Sequence, residues 1–129
     1  MRGQLSLEYL VLSLVALSLL SISISALIEI KKSAEQNLEV INFKSSTISL
    51  SNAIDELCAL GDGNGREIIL QNTVSIDSEF SDPNWVVRFS DQNSTVSLVR
   101  RSICSVDASE VKGKVYVKNE DGTIKIRER

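Results

Sequence analysis

The sequence predicts an α+β fold in which one long N-terminal helix packs on a small antiparallel β-sheet head. Three observations carry this reading. Residues 4–60 contain neither Gly nor Pro, so nothing interrupts a helix there. Within that stretch an uncharged run, Tyr9 to Ile28, gives way to a segment whose apolar residues fall on one side. Beyond Gly61 the hydrophobic period shortens to about two, the period of half-buried strands.

Composition narrows the function class before any motif is read. The 129 residues include no His, two Cys, one Pro, 14 basic and 17 acidic side chains, for a net charge of −3. Without imidazole there is no Ser-His-Asp triad, no Cys-His pair and no His-ligated zinc. No constellation of carboxylates or Lys stands out, so the expectation is a protein that is not an enzyme and carries no cofactor.

A helix over residues 4–60 would extend about 85 Å at a rise of 1.5 Å per residue. Its first half, 9–28, matches the roughly 20 residues an α-helix needs to cross a hydrocarbon core. Arg2 before the run, and Lys31 and Lys32 diluted by Glu29 and Glu35 after it, leave the orientation open. Three readings of this N-terminus compete: a removed secretory signal, a permanent signal anchor, and a leader clipped before the apolar run. Glu8 opposes the first two, because a secretory leader places a basic residue there and a carboxylate at the head of an apolar run is costly.

The second half of the helix, 29–60, changes character. Val40, Phe43, Thr47, Leu50, Ile54 and Leu57 recur at steps of three and four among Lys44, Ser45, Ser46, Asn52, Asp55 and Glu56, a stripe made to pack on one side. Ser and β-branched residues lower helix propensity over 44–52, so a kink or melted turn is the alternative there. Gly61 then suits the left-handed position that closes a helix. Asp62 and Asn64 alternate like the opening of a calcium loop, but no Glu ends a twelve-residue frame; the segment reads as cap and turn, and no metal is expected.

Five short alternating runs follow: Glu67 to Leu70, Trp85 to Phe89, Thr95 to Val99, Lys114 to Val117 and Thr123 to Ile126. Polar turns at Ser81-Asp82-Pro83-Asn84, Ser90-Asp91-Gln92-Asn93 and Asn119-Glu120-Asp121-Gly122 separate them, which predicts antiparallel hairpins. So small a sheet buries little by itself and needs the helical stripe as its second layer.

The N-terminal residues resemble a known family. Gly3-Gln4-Leu5-Ser6-Leu7-Glu8-Tyr9-Leu10 is similar to the Gln-x-Ser-x-Glu-Tyr signature of archaeal type IV pilin-like proteins with a class III signal peptide. Leu57-Cys58-Ala59-Leu60-Gly61-Asp62-Gly63-Asn64-Gly65-Arg66 resembles the Cys-x-Leu-Gly-Asp-Gly segment that follows the long helix in such pilins. The leader departs from the pattern in having one basic residue, Arg2. Glu8 departs from archaellins, whose helix begins uncharged and Gly-rich, and so favours a pilus.

The resemblance implies a lollipop or ladle shape and a division into a removed leader (1–3), the long helix (4–60) and a β head (61–129). It implies cleavage between Gly3 and Gln4 by a prepilin peptidase, a membrane-inserted precursor, and export into a surface adhesion filament. The filament would be a helical homopolymer built with an assembly ATPase and a membrane platform protein. In its low-dielectric core Glu8 would need a partner, and the new α-amino group of Gln4 in a neighbouring copy supplies one. Ser18, Ser21 and Ser25 share one helical face and would permit close helix approach.

Several further expectations attach to the head. In an exported chain with a thin core, Cys58 and Cys104 favour a disulfide tying helix to sheet, with two buried free thiols as the alternative. Asn93-Ser94-Thr95 is a glycosylation sequence in a polar turn. Lys112, Lys114, Lys118, Lys125, Arg127 and Arg129 cluster late without interleaved stacking aromatics, which reads as a solvated face or a contact to acidic neighbours. Loss of Arg2 with the leader leaves 13 basic against 17 acidic residues, a net charge of −4 that speaks against nucleic acid. The competing functions are a single-pass membrane-anchored surface protein with a ligand-binding head, a minor pilin or pseudopilin, and a secreted soluble module.

Overall fold

A computed structural model describes the backbone of residues 2–129 and the side chains from Ser6 onward. Helix α1 spans Arg2–Leu60, followed by β1 (Gly65–Ser81), β2 (Asn84–Ser90), β3 (Ser97–Ser102), β4 (Ser105–Asp107), β5 (Glu110–Glu120) and β6 (Thr123–Glu128). The chain divides into two compact units, Met1–Leu38 and Glu39–Arg129.

In the first unit the side chains of residues 6–38 are exposed, including every residue of the apolar run. The helix carrying them is long and apolar enough to cross a membrane.

In the second unit the last turns of α1 pack on a six-stranded sheet of order β3-β2-β1-β5-β6-β4. The expected stripe is the contact surface: Phe43, Thr47, Leu50, Ile54 and Leu57 are buried and Val40 is half-buried. The helix continues through 44–52 without a break, so no turn melts there. Ser46, Thr47 and Ser51 are buried on the packed side, where their small side chains let the sheet approach. The Ser46 hydroxyl accepts a hydrogen bond from the Gln71 amide at 3.1 Å. Tertiary packing thus overrides the weak local propensity.

The sheet supplies Leu70, Val74, Ile76, Val87, Phe89, Val106, Val111, Val115, Val117, Ile124 and Ile126 to the same core. Each of the five alternating runs lies wholly or partly within a strand, but the sheet is mixed rather than purely antiparallel. Four pairings are antiparallel, while β4 pairs with β6 in parallel. At three residues β4 is too short to display an alternation, which is why the sequence did not reveal it. β1 is also far longer than the run Glu67 to Leu70: its register shifts between Leu70 and Val74, and the polar residues Gln71, Asn72 and Thr73 of that irregularity hide its continuation to Ser81.

Candidate assembly helix and its anchorage in the head

The candidate site is a surface rather than a cavity. Along residues 9–28 the only polar side-chain groups besides the Tyr9 phenol are Ser hydroxyls. Four of them are satisfied within the helix: Ser13 donates to the Leu10 carbonyl (2.8 Å), Ser18 to Leu14 (2.8 Å), Ser23 to Leu19 (2.9 Å) and Ser25 to Ser21 (3.0 Å). A hydroxyl that donates to its own backbone loses little on leaving water, so these serines keep the helix slim without making it hydrophilic.

Glu8 lies at the start of this surface, exposed, and shares a shallow open concavity with Leu7, Val11 and Leu12. Among the described residues no ion pair reaches it. The expected cleavage site between Gly3 and Gln4, and with it the Gln4 partner of Glu8, lies outside the residues whose side chains are described.

At its other end α1 is fastened within the head. Gly61 adopts φ 81°, and its amide donates to the Leu57 carbonyl at 3.2 Å, the left-handed closure expected of it. The Asn64 side-chain Nδ2 donates to the carbonyls of Leu60 (3.0 Å) and Gly61 (3.2 Å), satisfying an orphan acceptor of the last turn and the one that follows it. Asp62, considered above as a calcium-loop residue, uses its Oδ1 to accept from the Asp121 amide at 2.8 Å. Arg66 pairs with Glu56 at 2.6 Å.

Cys58 and Cys104 form a disulfide with their Cα atoms 6.0 Å apart. Both are half-buried against the core, so the bridge ties the final helical turn to the segment between β3 and β4. Closing a loop with a sequence separation of 46 contributes about 4 kcal/mol in the chain-entropy model.

Asn119 is the anchoring residue that sequence reasoning missed. It is 1% exposed, and its Nδ2 donates to the Leu57 carbonyl at 3.0 Å while its Oδ1 accepts from Gly122 at 3.1 Å. Its backbone amide donates to Asn64 (2.9 Å) and its carbonyl accepts from Gly63 (3.0 Å). The signal was present: continuing the inward alternation Val115, Val117 by two residues puts Asn119 on the core face, where a polar group needs a partner.

The late basic cluster is partly neutralised by the head itself. Lys118 and Lys125 face each other across β5 and β6, and Glu120 bridges them, its carboxylate 3.2 Å from the Lys118 Nζ and 2.8 Å from the Lys125 Nζ. Hydrogen bonding from Lys125 first, then from Lys118, holds the Glu120 pKa down at about 2. Arg129 pairs with Glu67 at 2.7 Å, and the Lys112 amide donates to Glu128. Asn93 is exposed in the turn between β2 and β3. Compared with known families, curated proteins and solved structures, the chain matches none.

Proposed function

We propose that this chain is a structural subunit of an archaeal type IV-like pilus, an adhesion filament of the cell surface, and that it serves by assembly and not by catalysis. A prepilin peptidase removes Met1 to Gly3. An assembly ATPase and a membrane platform protein then extract the subunit, and copies polymerise through α1 into a helical homopolymer whose outer coat is the heads.

The observation that carries this reading is the combination of Glu8 with the uncharged, fully exposed helical run behind it. Lipid solvates that surface in the precursor, and other copies of the same surface cover it in the filament. The transfer between the two costs little hydrophobic free energy, since neither environment is water. The back-bonded serines suit both media.

Mass spectrometry of the mature N-terminus tests the reading. A start at Gln4 supports it. An intact Met1 identifies a membrane-anchored surface protein instead, and a start near Ala26 identifies a secreted soluble module. Electron microscopy of cells lacking the chain separates a major pilin, whose loss removes the filaments, from a minor pilin or pseudopilin.

A further inference from the structure

We infer that Asn93 is the acceptor of an N-linked glycan that stands beside the open edge of the head's sheet. Asn93-Ser94-Thr95 satisfies the acceptor pattern, with Ser and not Pro in the middle. The connection between β2 and β3 presents it outward. Asp91 closes that connection: its amide donates to the Val96 carbonyl at 3.1 Å, its carbonyl accepts from Ser94 at 2.9 Å, and its Oδ1 accepts from the amides of Thr95 (2.7 Å) and Val96 (3.2 Å).

The shape of the loop therefore rests on Asp91 and the backbone. Asn93 occupies a central position of the turn from Asp91 to Ser94, is exposed, and lends its amide to none of the side-chain hydrogen bonds that hold the loop among the described residues. Thr95 is exposed as well and enters those bonds through its backbone. The acceptor Asn93 and the recognition residue Thr95 are thus both open to an enzyme without local unfolding.

The donor class is a sugar chain carried on a polyisoprenyl phosphate outside the membrane. Asn93 Nδ2 forms a bond to the anomeric carbon, the bond from that carbon to the lipid phosphate oxygen breaks, the phosphate leaves with the electron pair, and the proton the amide gives up passes to that phosphate or to water. This inference rests on the proposed exposure of the head outside the cell.

The place of the glycan suggests what it does. β3 is the end strand of the sheet and pairs only with β2, so one side of its backbone is unpaired among the described residues. Such edges template pairing with other chains, and proteins blunt them with charge or by covering them. Arg100 and Arg101 already charge this edge, and Val99 between that pair and Leu98 is 53% exposed. A hydrated glycan on the turn leading into β3 hinders a second sheet from aligning there.

The experiment uses the full chain purified from its native membranes or filaments. Mass spectrometry of the peptide covering 91–97 should show a glycan on Asn93, completely lost in Asn93→Gln and Thr95→Ala and retained in Thr95→Ser. None of these changes removes a bond that shapes the loop. In parallel, a membrane-impermeant amine reagent is applied to intact cells. An unmodified Asn93 in a head labelled from outside overturns the glycan alone, whereas an unlabelled, unmodified head overturns the proposed function with it. Wider lateral bundles in Asn93→Gln than in the wild type, seen by electron microscopy, support the edge role; unchanged bundle width removes that role.

Discussion

The Asn119 side chain donates a hydrogen bond to the Leu57 carbonyl at 3.0 Å, linking the end of β5 to the last turn of a helix 62 positions earlier in the chain. The same carbonyl accepts from the Gly61 amide, so one oxygen serves both the local closure of the helix and its attachment to the sheet. Asn119→Ala removes the donor to Leu57 and the acceptor for Gly122 together. It should cost about 1–3 kcal/mol, read as a lower thermal midpoint by circular dichroism. Asn119→Asp should cost more, because it buries a carboxylate facing a carbonyl. A midpoint unchanged in Asn119→Ala would show that water replaces both bonds without loss.

How much of this was legible follows from where each signal resides. The helix could be read because absence of Gly and Pro is a property of the sequence itself, and the stripe through Phe43, Leu50 and Ile54 survives because a helix repeats its face locally. Gly61 was legible for a similar reason: only its own φ matters. The parallel pairing of β4 depends on residues distant in sequence, whereas the continuation of β1 was hidden locally by Gln71, Asn72 and Thr73, and Asn119 was hidden because a polar residue takes the inward place that follows Val115 and Val117. The buried Ser46 and Thr47 misled in the other direction, since their low propensity argued for a break that packing against the sheet removes. Gly3 and Gln4 stand apart: their reading rests on resemblance alone, and their side chains lie outside the described residues.

The disulfide should be intramolecular and present in the mature protein. Non-reducing gels and intact mass should show one Cys58 to Cys104 bridge per chain, and Cys58→Ser should destabilise the head by up to about 4 kcal/mol without altering the proposed cleavage at Gly3. Two freely alkylated thiols in native protein would contradict the bridge.

The Glu120 bridge gives the head a defined acid response. Its folded pKa, about 2, lies below the ordinary value of 4.5, so its contribution is fully present above 4.5 and is lost as pH falls toward 2. Glu120→Gln also leaves Lys118 and Lys125 directly opposed. The variant should therefore melt below wild type at neutral pH and approach it as pH falls toward about 2. Thermal midpoints across that range check the sign, and a constant gap at every pH would contradict it.

The proposed cleavage after Gly3 should depend on a small residue there. A β-branched or charged side chain at position 3 would crowd the site of a peptidase that accepts Gly, so Gly3→Val should accumulate as the uncut precursor, detected by N-terminal mass. Normal maturation of Gly3→Val would remove the prepilin assignment.

Under the proposed function, Glu8 decides whether the N-terminal motif serves assembly or only marks the cleavage site. In a water-free bundle the α-amino group of Gln4 from one copy and the carboxylate of Glu8 from the next would neutralise each other, and neither is tolerable alone. Glu8→Gln keeps the shape and should permit cleavage while removing the charge. The ammonium left unpaired should then cost about 3–5 kcal/mol per contact, and because every subunit repeats the contact, polymerisation should stop. The competing explanations are that the peptidase alone reads Glu8, or that Glu8 neutralises the amino terminus of its own chain. Filament yield must therefore be compared only among variants already shown to begin at Gln4. Full yield from processed Glu8→Gln would remove the intermolecular role, whereas loss of filaments with processing intact would locate the requirement in the packed helices themselves.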